Sequence, residues 1–148
     1  SLNIMNSNGS IDELRIINAY QDGIDIDFSK IGINKAIISQ AGNDCLDVSG
    51  GEYNLITGSL SNCKDKAISV GEKSQFNIEN VHIKNAKSGI TVKDLSKLYL
   101  NKAFIKDSDI CLSAYQKKQE FGGGIAYIND LECEGESFVD KNSSIYNL

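Results

Sequence analysis

The sequence predicts an all-β chain built as a single-stranded parallel β-helix, with three strands per coil, about 22 residues per coil and five to six coils. Three observations carry that expectation. The phrase Gly23-Ile24-Asp25-Ile26 returns as Leu46-Asp47-Val48, Ile68-Ser69-Val70, Ile90-Thr91-Val92 and Leu112-Ser113-Ala114, and its first apolar residue advances by 22 at every return. Each period holds three apolar pairs spaced by two, the spacing that puts both members on one face of a strand. Local irregularities cancel: where the gap before the second pair shortens from 8 to 7, the turn after that pair has already lengthened from 5 to 6.

Taken in order, residues 1–10 are polar and read as a lead-in or N-terminal cap, and the β-helix proper spans 11–133. The first inward column is Leu14/Ile16, Ala36/Ile38, Gly58/Leu60, Val81/Ile83 and Ala103/Ile105. The second is Ile24/Ile26, Leu46/Val48, Ile68/Val70, Ile90/Val92 and Leu112/Ala114; the third is Ile31/Ile33, Tyr53/Leu55, Phe76/Ile78 and Leu98/Leu100. Asn18, Gln40, Asn62, Asn85 and Asp107 align at one corner, where such side chains bond turn backbone and one another. Ala114 to Ala126 is 12 residues where the preceding coil needs 6, so 115–124 loops out before Ala126/Ile128 and Leu131/Cys133 resume strands. Residues 134–148 read as an irregular C-terminal cap or truncated coil.

The 148 residues suit one domain, and 41% hydrophobic with 24% charged residues is a globular composition. A net charge of −5 argues against nucleic acid or an anionic membrane as the main partner, because both need a basic face. No apolar run is long enough for a membrane span and no signal peptide is visible in the given chain. The absence of Pro suits a chain that is nearly all ladder. The oligomeric state is left open.

Cys45 and Cys111 fall in one column of small residues and Cys63 in another. Cys45 and Cys111 lie three coils apart, ~14 Å at the stacking distance of a sheet, beyond disulfide reach. Without a C-x-x-C or a nearby His, the expectation is buried free thiols. His82, between inward Val81 and Ile83, points outward into solvent.

The second sheet carries the chemistry-bearing face. Its outward column is Asp25, Asp47, Ser69, Thr91 and Ser113, flanked by Asp27, Ser49, Gly71, Lys93 and Tyr115, with Asp22, Asp44, Lys66 and Ser88 at the start of the strands. Five carboxylates on two adjacent coils repel unless a cation, a ligand or a shared proton relieves them. Paired carboxylates are also what glycoside hydrolysis needs.

Here the sequence resembles the polygalacturonases of the pectin-lyase-like superfamily, whose coils carry N-T-D, D-D, G-H-G and R-x-K in succession. Gln21-Asp22-Gly23-Ile24-Asp25-Ile26 is similar to the first and Asn43-Asp44-Cys45-Leu46 to the second. Lys66-Ala67-Ile68-Ser69-Val70-Gly71 stands in the place of the third and Thr91-Val92-Lys93 in that of the fourth. Asn43, Lys66 and Thr91 depart from the family's Asp, His and Arg. The resemblance implies a right-handed helix and, for an enzyme, cleavage of an acidic polysaccharide: a hydrolase using Asp22 and Asp44, or a lyase with Ca²⁺ on Asp22, Asp25, Asp44 and Asp47 and Lys66 or Lys93 as base. No other cofactor is expected.

A second resemblance, over about residues 40–128, is to β-helix repeat modules of bacterial surface proteins. It rests on Asp65-Lys66-Ala67-Ile68-Ser69-Val70-Gly71-Glu72-Lys73-Ser74, Val92-Lys93-Asp94 and the run Ala114 to Gly124. It implies a non-catalytic module, extracellular or at the cell surface, presenting a face to a polysaccharide or to a neighbouring domain. Asp25, Asp47, Glu72, Lys93, Asp94, Tyr115, Lys117, Lys118 and Glu120 are the ligand-binding candidates, gathered at one edge of the second sheet. The non-catalytic module is the expected function and the polysaccharide-cleaving enzyme the alternative.

Overall fold

A computed structural model describes all residues 1–148. Eleven strands and no helix follow one another: β1 (Leu2–Met5), β2 (Asn8–Ala19), β3 (Ile24–Asp27), β4 (Lys30–Ala41), β5 (Leu46–Ser49), β6 (Glu52–Gly71), β7 (Gln75–Lys93), β8 (Lys97–Tyr115), β9 (Ile125–Cys133), β10 (Glu136–Val139) and β11 (Ser144–Asn147). Every pairing is parallel, and each coil pairs with the coil before and after it. The chain is a parallel β-solenoid, and the three inward columns read from the sequence stack in the register expected. No helix is long and apolar enough to cross a membrane.

The second sheet counts the coils. Leu2, Ile24, Leu46, Ile68, Ile90, Leu112 and Ser137 stand in one column, giving about 7 turns rather than five to six. The additional rungs lie at the ends. Leu2–Met5 pairs with Ile24–Asp27, and Ser144–Asn147 pairs with Ile125–Ile128. An end coil has a neighbour on one side only, so it keeps much of its apolar surface exposed and its sequence loses the apolar alternation that marks the inner coils.

Inside, Ile24, Ile26, Leu46, Leu55, Ile68 and Ile90 are fully buried, each contributing roughly 1.5–3 kcal/mol by removal from water. Tyr53 meets Phe76 edge-on, with ring centroids 6.1 Å apart.

Two corners turn through left-handed backbone. After the first strand of each coil, Asn18, Gln40, Asn62, Asn85 and Asp107 have φ of 67, 60, 55, 56 and 55°, and Asn and Asp are the side chains that tolerate this region best. Asn85 Nδ2 donates to Asn62 Oδ1 at 2.7 Å, one rung of the expected ladder. After the second strand, Asn6, Phe28, Gly50, Glu72 and Asp94 do the same, at φ of 49, 48, 58, 54 and 55°. In the two coils where that turn gains a residue, Lys73 and Leu95 adopt a second left-handed conformation, with φ of 63 and 62°. The extra residue is thus absorbed inside the corner, which is why the period survives.

A serine ladder holds the second corner. Ser29 Oγ donates to Asp27 O at 2.7 Å and accepts from Ser7 N–H at 3.0 Å; Ser74 and Ser96 repeat the pattern. In the coil between them the position is Gly51, and the Tyr53 hydroxyl takes over. It donates to Ser49 O at 2.7 Å, with Ile26 O at 3.1 Å, and accepts from Ser29 N–H at 3.4 Å. A side chain at Gly51 would collide with this phenol. Burial first of all pushes the phenol up to about 12, so it remains a donor.

The expectation of free thiols is corrected. Cys45 bonds Cys63 and Cys111 bonds Cys133, with Cα atoms 5.4 and 6.1 Å apart, and no cysteine is free. Cys63 stands four residues before Ala67, and Ala67 lies one coil above Cys45, so the first bridge runs diagonally across the corner. In the second, Cys133 pairs with Ile105 in register. The looped-out residues lengthen that coil to 28 and bring Cys133 over the corner that holds Cys111.

Candidate functional site

The acidic column at the start of the second strands is a ladder of caps. Asp22 Oδ1 accepts from the Asp44 N–H at 2.9 Å and from Asn43 Nδ2 at 2.7 Å. One coil on, Asp44 Oδ1 accepts from the Lys66 N–H at 2.9 Å. Each carboxylate thus holds the backbone of the next coil. Asp44 is 3% exposed. Its burial outweighs the Lys66 amide and ammonium, and its acid is pushed up to about 6. Lys66 Nζ bonds Asp65 and lies 3.7 Å from Asp44 Oδ1. Burial alone would lower this ammonium, but Asp65 and Asp44 together raise it.

From Ser69 onward the outward column of the second sheet is not solvated, while Asp25 and Asp47 are half-buried. Ser69, Thr91 and Ser113 are 0, 1 and 4% exposed. Thr91 Oγ1 lies 2.8 Å from Ser113 Oγ and 3.2 Å from Ser88 Oγ, a continuous hydroxyl row. Ser69 breaks the row: its Oγ is buried without a hydrogen-bond partner, and so is Oδ1 of Asp47 on the preceding coil. Beside them Lys93 reaches back over Gly71, where a Cβ would stand 2.9 Å from Lys93 Cε. Lys93 is 9% exposed and makes no hydrogen bond or ion pair. Burial lowers its ammonium more than the charge of Asp47 restores it, and Lys117 and Lys66 lower it further. Burial raises Asp47 against the pull of Lys93 and of the facing Ser69 hydroxyl, which lies near it outside good bonding geometry. Tyr115, two coils beyond Ser69, is half-buried and raised by burial against the pull of Lys66.

The structure therefore brings Asp44, Asp47, Lys66, Lys93 and Tyr115 together around Ser69, a floor residue that sequence reasoning passed over. Asp25 lies beyond this cluster on the acidic side, raised first by burial and then by Asp27, Asp22 and Asp44. No three Asp, Glu, His or Cys side chains converge as a cation site, so Asp22, Asp25, Asp44 and Asp47 stay strung along two columns.

The remaining candidates fix the loop. Asp94 is fully buried; its Oδ1 accepts the Lys117 and Lys118 N–H groups at 2.7 and 2.8 Å, and its Oδ2 has no partner. Glu72 pairs with the Lys118 ammonium, and Lys73 stands 5.5 Å over the Phe121 ring. Asp140 Oδ2 accepts the Gln116 N–H at 2.8 Å. Glu120 is exposed and unpaired, and the Lys117 side chain is exposed at the rim. Gly124 approaches the Val92 carbonyl closely enough that any side chain would collide with it. His82 lies on the other face, exposed beside Phe104 at 5.8 Å.

No family model, no curated protein and no solved structure matches the chain.

Proposed function

We propose that this chain is a non-catalytic β-helical module that binds carbohydrate on its second sheet, with the Ser69 cluster as the recognition site. One observation carries this reading: the Ser69 hydroxyl and Asp47 Oδ1 are buried without a formed hydrogen bond, beside a nearly buried Lys93 that makes no hydrogen bond or ion pair. Each unmade hydrogen bond of a buried oxygen such as these two costs roughly 1–3 kcal/mol. A hydroxyl-rich ligand supplies what all three lack, accepting from Lys93, donating to Asp47 and doing either at Ser69. The loop at 115–124, held by Asp94, Asp140 and Glu72, forms a preorganised wall with Tyr115 at its base. The two disulfides support an extracellular or cell-surface setting, in line with modules of bacterial surface proteins. A neighbouring domain is the other partner this face suits.

The second reading is a polysaccharide-cleaving enzyme of the pectin-lyase-like kind, favoured by the lowered ammonium of Lys93 beside Asp47. Lys93 would act as base in a lyase, and because the aspartates do not converge as a cation site this reading routes no step through calcium. Hydrolysis by Asp22 and Asp44 is less favoured, because one oxygen of each already holds the next coil's amide. The two readings separate in one experiment: binding and product release measured on a panel of acidic and neutral polysaccharides, with and without calcium. The module reading expects binding without new reducing ends or unsaturated products. Product release lost in Lys93→Met would establish the enzyme instead.

A further inference from the structure

The corner between the first and second sheets carries charge of the opposite sign to the chain as a whole. Lys84 and Lys106 stand opposite each other on adjacent coils. Lys64 and Lys87 follow the paired residues Cys63 and Ala86, so they too are neighbours. All four are exposed, and none has a carboxylate within ion-pair distance. Like charges facing each other on neighbouring strands destabilise a sheet, and within the chain only Asp107 and Asp109, on the coil of Lys106, stand near enough to offset that cost. Between the two lysine columns run Asn62 and Asn85, joined by their amide bond of 2.7 Å.

A groove of about 690 Å³ follows this corner along the solenoid axis, lined by Asn18, Gln40, Asn62, Asn85, Lys64 and Lys87, and no Asp or Glu lines it. Tyr20, 92% exposed, stands at its other end. Asp22 and Asp65, which flank the groove, are turned elsewhere: Asp22 to Asn43 and the Asp44 amide, Asp65 to Lys66. Asp107 and Asp109 close the groove on the coil beyond Asn85 and Lys87.

We propose that this corner is a second binding site, independent of the Ser69 cluster, for a linear anionic polysaccharide laid along the solenoid axis over Lys64 and Lys87. Its sulfate or carboxylate groups meet the ammoniums, its hydroxyls meet the amides of Asn62, Asn85 and Gln40, and Tyr20 offers a ring face to a sugar. The coil spacing of ~4.8 Å presents these groups at a step close to one sugar unit. Nucleic acid is disfavoured: its denser charge is repelled by a chain of net charge −5 and by Asp107 and Asp109 at the groove's end.

The test is a binding series on the intact chain with a sulfated glycan, a polyuronate, neutral dextran and a single-stranded oligonucleotide, each at two salt concentrations. At least one anionic glycan is expected to bind, more weakly at high salt, and its identity tells sulfate from carboxylate. Lys64→Gln combined with Lys87→Gln should weaken that binding about tenfold, while Lys30→Gln, on another corner, leaves it unchanged. Dextran binding that the double variant loses to the same extent, an oligonucleotide binding as tightly as the anionic glycan, or an unaltered affinity in the double variant would each overturn the assignment.

Discussion

Lys93 lies across Gly71, and a methyl group on the glycine would stand 2.9 Å from Lys93 Cε. The glycine is the slot through which a lysine of one coil reaches the buried serine and aspartate of earlier coils. Gly71→Ala should push the ammonium aside at a stability cost of about 1 kcal/mol or less, since a flexible stem can yield. Thermal melts should therefore change little while glycan affinity falls, and the two readouts together check the slot.

Asp44 makes stability depend on pH. Its folded acid is raised from the ordinary 3.8 to about 6, so the folded chain holds a proton that the unfolded chain has lost. Its contribution is fullest below pH 4 and declines as pH rises to about 6. At ~1.4 kcal/mol per pH unit the decline amounts to about 3 kcal/mol. Asp44→Asn should remove it, keeping an acceptor for the Lys66 N–H. Denaturant melts of both proteins at pH 4, 5, 6 and 7 check this, and the wild-type minus variant difference should fall across that range.

Each disulfide is expected to contribute about 3 kcal/mol by restricting the unfolded chain, given sequence separations of 18 and 22. Alkylation under denaturing, non-reducing conditions should find no free thiol, and Cys45→Ser with Cys63→Ser should lower the melting temperature markedly. Alkylation of any cysteine before reduction would contradict the pairing.

Tyr53→Phe leaves the Ser29 N–H without its partner and removes one of two donors to Ser49 O, which keeps the Phe28 N–H at 3.0 Å. A loss of roughly 1–3 kcal/mol is expected, read from denaturant midpoints at unchanged slope. Gly51→Ser restores the serine ladder in sequence but collides with the phenol. Its Cβ would also stand 2.1 Å from the Ser29 carbonyl oxygen, so it should destabilise both alone and when combined with Tyr53→Phe.

Much of this fold is legible because burial writes itself into the sequence with a period. Ile24, Leu46 and Ile68 had to be apolar at a fixed step, and Asn62 and Asn85 had to tolerate left-handed backbone. The second corner hides the same backbone behind Phe28, Glu72 and Asp94, whose side chains serve packing, an ion pair and a loop cap. The disulfides were not legible because Cys45–Cys63 is a diagonal between columns, and the looped-out residues displace Cys133. Within the site, the sequence shows that Asp44, Lys66 and Lys93 share an edge. It does not show that Asp22 and Asp44 cap backbone amides, or that Ser69 loses its hydroxyl partner, because both depend on which atom faces the neighbouring coil.

Lys93→Met tests the central claim most directly, since methionine keeps the stem and removes the ammonium. If Lys93 is held unpaired for a ligand, replacing a buried lone charge with an apolar group should raise the melting temperature and abolish carbohydrate binding at the second sheet. A lowered melting temperature with binding intact would mean that Lys93 serves the fold and that the Ser69 cluster is not the recognition site.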